Sequence, residues 1–187
     1  MDYRFEDIYD RLTTLESAPS GGGGGINEIN IYPENMSLDD TDTGSDAGTC
    51  FDIMPCLNFD PDNDGAAWFM FKLPGNWDST ADINVELTYS MNGNDPSKNV
   101  KFDWEYWCLN SGETPSESTP DQSRTTTLAS STSNIGKVYN QTITDFVLGT
   151  YYDADTDTVV IKIKRDADNA GDTYTGTFQL IKLLLSQ

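Results

Sequence analysis

The chain has 187 residues, with 31 acidic and 11 basic side chains, no histidine, three cysteines and a formal net charge of -20. That charge excludes a role on the nucleic-acid backbone or on an anionic membrane, and the missing histidine removes the usual general base, zinc ligand and pH switch. Only 36% of residues are hydrophobic, yet 8 Phe, 9 Tyr and 4 Trp supply the bulk for one core in a domain of ordinary size.

Residues 1–20 read as a helical anchor. Phe5, Ile8, Leu12 and Leu15 recur at heptad spacing, with acids in the first turns where a helix dipole favours them. A helix this short is marginal alone in water, so it forms against sister copies or in a groove of another protein. Five consecutive glycines follow: Gly21, Gly22, Gly23, Gly24 and Gly25. With no side chains to fix or bury, they mark a joint. Ile26 to Pro33 is an extended connector or a first strand, which takes the joint to residue 33 and leaves 34–187 for the globular domain. The charged N-terminus carries no visible export signal, and no stretch is long and apolar enough to span a bilayer.

Residues 34–64 hold nine acids and no base, and Asp39 to Asp46 has the chemistry of a loop. Thr49 to Phe59 is a strand interrupted at Pro55. Ala66 to Leu73 is a near-continuous apolar run, as in a strand covered on both faces. Ile83, Val85, Leu87 and Tyr89 alternate with polar residues, as do Val100, Phe102, Trp104 and Tyr106. These two half-buried strands are expected to pair as antiparallel neighbours. Residues 110–134 read as a long Ser/Thr/Pro-rich loop with a short strand near Arg124 to Ala129. Lys137 to Ile143 and Phe146 to Tyr151 are read as two short strands, followed by one around Val159 to Ile163. Thr177 to Leu185 is a last strand with Phe178, Leu180 and Leu184 on one face and Ile181, Leu183 and Leu185 on the other. About eight strands and no helix after the anchor predict an all-β, jelly-roll-like β-sandwich preceded by a short N-terminal helical anchor.

Few groups suggest chemistry. Asp60-Pro-Asp-Asn-Asp-Gly65 starts like a calcium loop, with Asp60, Asp62 and Asp64 at the first, third and fifth positions, but Phe71 stands where the bidentate acid belongs. A solvated turn is the favoured reading. Asp153, Asp155 and Asp157 form a weaker pattern of the same kind. No carboxylate pair stands out for glycosidase work. Cys50, Cys56 and Cys108 lack a C-x-x-C pair and read as buried thiols made in a reducing compartment; a Cys50–Cys56 bridge stays open as the alternative but is not indicated. Trp68 and Trp104 read as core. Trp77, in a turn, and Trp107, in the opposite phase to Trp104, would offer a platform for a glycan or, preferentially, another subunit.

Two segments carry a resemblance. Phe71-Lys-Leu-Pro-Gly-Asn-Trp-Asp78, followed by an alternating strand and Val100-Lys-Phe-Asp-Trp-Glu-Tyr106, resembles the motif order of small jelly-roll proteins on the virions of tailed bacteriophages. Arg165 to Gly176, with the apolar strand after it, is similar to their closing hairpin. The resemblance implies a homotrimer on the virion surface, made in the host cytoplasm, non-enzymatic and without cofactor or metal. It implies a capsid decoration, cement or head-fibre protein attached through its N-terminus to the major capsid protein or another virion protein. A tail-fibre tip that binds a host receptor or host-surface glycan is the alternative, and a carbohydrate-active enzyme module comes after that. Within the hairpin, Arg165 and Asp172 are placed to pair across an Asn169-Ala-Gly171 turn and orient Tyr174.

Overall fold

The computed structural model describes residues 28–75, 77–78, 80–110, 112–113, 119–131, 135–147, 151–152 and 158–187. The expected anchor (Phe5, Ile8, Leu12, Leu15), the glycine joint and Asp153, Asp155 and Asp157 lie outside them.

The described residues form a jelly-roll-like β-sandwich of eleven strands: β1 (Glu28–Ile31), β2 (Ser37–Thr43), β3 (Ser45–Cys50), β4 (Met54–Phe59), β5 (Gly65–Phe71), β6 (Ile83–Asn92), β7 (Asn99–Leu109), β8 (Gln122–Ala129), β9 (Tyr139–Phe146), β10 (Thr158–Arg165) and β11 (Thr177–Ser186). One sheet, sheet A, runs β3-β4-β11-β6-β9, with β1 also paired to β11; the other, sheet B, runs β2-β5-β10-β7-β8. All strand pairs are antiparallel. Alternation puts every second side chain of each sheet inside. Phe59, Val85, Leu87, Tyr89, Phe102, Trp104, Ile163, Phe178 and Leu180 are all completely buried. Aromatic edges meet across the gap, with the Phe102 and Phe178 rings 4.7 Å apart and the Phe59 and Phe102 rings 5.4 Å apart.

The count exceeds the eight strands read from the sequence because the acidic segment forms β2 and β3. In β2, Asp39 and Asp42 pair with lysines of β10. Glu28 to Ile31 takes the first-strand option and pairs with Ser186 to Leu183. The stretch from Tyr139 to Phe146 is one strand rather than parts of two.

Strands β6 and β7 do not pair. They lie in opposite sheets and face each other across the core. The connection between them is no tight hairpin: the Ser97 and Lys98 amides donate to the Ser130 carbonyl and Oγ, and Ser130 Oγ donates to the Asp95 carbonyl. The chain therefore crosses from sheet to sheet over the end of β8.

The last strand also differs in phase. A bulge between Leu180 and Lys182 shifts the register against β6. Phe178 and Leu180 before it, and Leu183 and Leu185 after it, consequently all point into the core and are completely buried. The strand is central rather than doubly apolar.

Two corners carry the chain between sheets. β2 passes from sheet B to β3 of sheet A at Gly44, and the Asp60 to Asp64 turn returns it from β4 to β5. The corners nest: the Gly44 amide donates to the Asp64 carbonyl at 2.8 Å, and the Asp60 amide donates to the Gly44 carbonyl at 2.6 Å. A Cβ on Gly65 would sit 2.4 Å from the Gly44 carbonyl carbon, and one on Gly44 2.1 Å from the Asn63 oxygen. Only glycine fits at either position.

Candidate functional site

The calcium-like segment turns out to be this corner. Asp60 Oδ1 accepts from the Asp62 and Asn63 amides at 2.7 and 3.1 Å. Asp64 accepts from the Ala167 and Asp168 amides and meets Lys164 Nζ at 2.8 Å. Burial alone would raise the Asp64 pKa. The Lys164 hydrogen bond and charge and the two amides outweigh it and hold the carboxyl below its usual 3.8. Among the described residues, no three His, Cys, Asp or Glu side chains are grouped to hold a metal ion.

The cysteine reading is corrected. Cys50 and Cys56 form a disulfide with a Cα–Cα distance of 5.9 Å, while Cys108 is buried outside it. The β3–β4 hairpin explains this: its register sets Gly48 opposite Cys56 and Cys50 opposite Met54, so the two cysteines are diagonal neighbours on one face. The turn uses Phe51 and Asp52, both at positive φ (53° and 60°), and leaves Phe51 and Ile53 exposed at its tip. With no glycine at those positions, the hairpin carries no turn signature in the sequence.

The tryptophans are redistributed too. Trp104 is core, as expected, but Trp77 is also buried in the core cluster. Trp68 instead faces out from sheet B, because its neighbours Ala67 and Phe69 take the inward phase. It stacks on Trp107 at 5.2 Å, and Lys162 Nζ lies 4.7 Å from its ring centre. Asp39 accepts from Trp68 Nε1 and pairs with Lys162 at 3.3 Å; Asp42 bridges Lys162 and Lys164. Trp107 leaves the core as its phase predicts, yet it is covered. The expected Trp77–Trp107 platform does not exist, and acids of strand β2 pair with Lys162 and Lys164 on this face.

Sheet A presents a different outer face. Asp46 is opposite Asn58, Asn58 opposite Gln179, and Gln179 opposite Ser90, giving one polar row across four strands. The next row holds Asp60, just past β4, then Thr177 opposite Asn92. Together with Thr49, six of these side chains line a groove of about 400 Å³: Asp46, Asn58, Asp60, Asn92, Thr177 and Gln179. Gln179 Nε2 donates to Asn58 Oδ1 at 3.2 Å. Gly48 makes room for that amide, since a Cβ there would lie 2.1 Å from Asn58 Nδ2. Ser90, at the end of the first row, is 1% exposed, and its Oγ has no hydrogen-bond partner among the described residues.

The groove therefore offers carboxylates, carboxamides and hydroxyls, groups that together donate and accept hydrogen bonds. Its lining contains no cationic side chain. Sheet B carries a smaller depression of about 300 Å³ at Asp103, Glu105, Ser123, Arg124 and Thr125, where Thr125 Oγ1 already donates to Asp103 at 2.7 Å.

Of the groove residues, only Asp60 is conspicuous in the sequence, and there as part of a calcium-like turn. Asn58, Gln179 and Ser90 each sit singly between two buried apolar residues, which marks them only as outward-facing. Register between distant strands makes them a row.

No family model and no curated protein matches the sequence. Solved structures similar to it include the CBM22-1–GH10 modules of Clostridium thermocellum endo-1,4-β-D-xylanase 10B complexed with xylohexaose, at 10% identity and a TM-score of 0.45, over 87% of this chain and 28% of that one. TmCBM61 in complex with β-1,4-galactotriose is similar at 10% identity and a TM-score of 0.36, over 86% and 88% of the two chains. A Bacillus thuringiensis Cry1Da tryptic core variant is similar at 9% and 0.41, over 86% and 23%. All three TM-scores lie below 0.5, too low to carry a ligand or activity to this chain.

Proposed function

We propose that this protein is a non-enzymatic recognition domain whose sheet A groove binds a glycan, displayed on a surface through its N-terminal segment. The carrying observation is the pair of register rows that assembles Asp46, Asn58, Gln179, Asp60, Thr177 and Asn92 on one face. Sugars are recognised by such bidirectional hydrogen bonding to vicinal hydroxyls. From Asp46 on β3 to Asn92 on β6 the two rows together span three strand spacings of about 4.8 Å, a length suited to a short oligosaccharide rather than one sugar. Binding of the intact protein to an oligosaccharide array tests this. The expected result is a discrete set of hits lost in Gln179→Ala; an array without hits, or hits unaffected by Gln179→Ala and Asn58→Ala, rejects the groove.

A second reading, from the resemblance to phage virion proteins, is capsid decoration as a homotrimer. The Cys50–Cys56 disulfide favours exposure on a surface such as a virion's, where disulfides persist. This reading expects the protein to bind empty capsids and to lose that binding when residues 1–20 are deleted. Retained binding, or a monomeric mass in native solution, counts against it.

A further inference from the structure

We propose that the groove selects uncharged glycans and rejects acidic ones; this rests on the glycan reading above and names the class of ligand. The groove's two formal charges are both negative, Asp46 at the rim and Asp60 at the corner, and its remaining lining is uncharged. Asp60 is fixed, because its Oδ1 holds the Asp62 and Asn63 amides. Its carboxylate cannot turn away to admit a ligand anion.

The cations of β10 are committed elsewhere. Lys162 and Lys164 face out from sheet B and pair with Asp39, Asp42 and Asp64. Arg165 is wholly buried against Asp172. Lys182 is the one base on the described strands of the sheet A outer face. It pairs in register with Thr88, beyond the bulge that separates it from the Gln179 row, and it does not line the groove. A uronate or sulfate laid along the rows would face two carboxylates and no cationic side chain in the groove's described lining, on a chain of net charge -20. An unsubstituted or N-acetylated sugar meets only hydrogen-bonding partners. The acids then act as a repulsive filter beside the attractive amides.

The experiment measures affinity of the intact protein for glucose, xylose and N-acetylglucosamine oligomers and, in parallel, for polygalacturonate and sulfated oligosaccharides, at low and high salt. The expected result is binding within the uncharged set, insensitive to salt, and none to the acidic set. In the Asp46→Asn, Asp60→Asn double variant the exclusion of acidic ligands should relax by roughly tenfold. Asparagine at position 60 keeps an oxygen for the two turn amides, so the corner is retained. Tighter binding of an acidic glycan by the native protein, weakened by salt and by Lys182→Met, overturns the inference while leaving glycan binding intact. Absence of binding to either set overturns both.

Discussion

Arg165 and Asp172 form a two-pronged ion pair with no solvent access at the guanidinium: Nε donates to Oδ2 at 3.0 Å and a terminal nitrogen to Oδ1 at 2.9 Å. The remaining guanidinium hydrogens go to the carbonyls of Phe59, Gly176 and Tyr174. One side chain at the end of β10 in sheet B thus ties the end of β4 and the approach to β11 in sheet A. The expected Arg165–Asp172 pair is present, but as a buried clamp rather than a surface charge pair. Breaking it by removing one partner strands a buried charge. Arg165→Met and Asp172→Asn should each cost about 3–5 kcal/mol, and Arg165→Lys should not rescue, since an ammonium cannot make the same fork. Urea denaturation measures this; a loss below about 1 kcal/mol would mean that the clamp opens to water.

The sandwich was legible where one face is buried and the other wet. The alternation of Ile83 to Tyr89 and of Val100 to Tyr106 specified two strands with the correct inward residues. Pairing was not legible, because alternation fixes a strand's faces and says nothing of its neighbour. The same limit hid the groove: Asn58 and Gln179 are 121 positions apart and meet only through β4–β11 pairing. The β11 bulge was hidden for another reason, since a run of apolar and mixed residues fits either phase until a partner strand sets the register.

The nested corners make a sharp prediction about glycine. Gly44→Ala and Gly65→Ala each press a methyl onto backbone atoms at 2.1–2.6 Å, and either should destabilise by roughly 2–3 kcal/mol. A methyl on Gly75 would meet nothing within 4 Å, so Gly75→Ala should fall within about 0.5 kcal/mol of the native protein. Equal melting temperatures for the three variants would contradict the corner geometry.

Reduction of Cys50–Cys56 should loosen the β3–β4 hairpin. The closed loop is short, with a sequence separation of 6, so the loss is about 2 kcal/mol by loop-closure entropy. In a domain of this size that corresponds to a melting temperature lower by roughly 4–8 °C. Calorimetry with and without reductant measures it, and Cys50→Ser, Cys56→Ser should reproduce the reduced value without further response to reductant.

Stability should fall at alkaline pH. Burial, with Cys108, Asp121 and Tyr151 adding to it, raises the Tyr106 pKa well above its usual 10.0, and the hydroxyl donates to the Val147 carbonyl at 2.6 Å. Because the folded pKa exceeds the unfolded one, this contribution is full below about pH 10 and is lost as pH rises toward the folded value. Lys164, raised chiefly by its hydrogen bond to Asp64, adds a loss in the same direction. Tyr106→Phe should cost about 1 kcal/mol at neutral pH and flatten the decline above about pH 10. An unchanged alkaline slope in that variant would assign the decline elsewhere.

Gly48 allows site and fold to be separated. A methyl there would collide with the Asn58 carboxamide, the movable end of a side chain, rather than with backbone. Gly48→Ala should therefore displace that amide and break the Gln179–Asn58 hydrogen bond, while costing no more than about 1 kcal/mol of stability. The position is on the edge strand β3, where the sheet can accommodate the change. If the polar row is the glycan floor, oligosaccharide affinity should drop in this variant about as far as in Asn58→Ala, with the melting temperature nearly unmoved. A large loss of stability with affinity retained by the folded fraction would show that Gly48 serves hairpin packing, and that the Asn58 amide is no part of recognition.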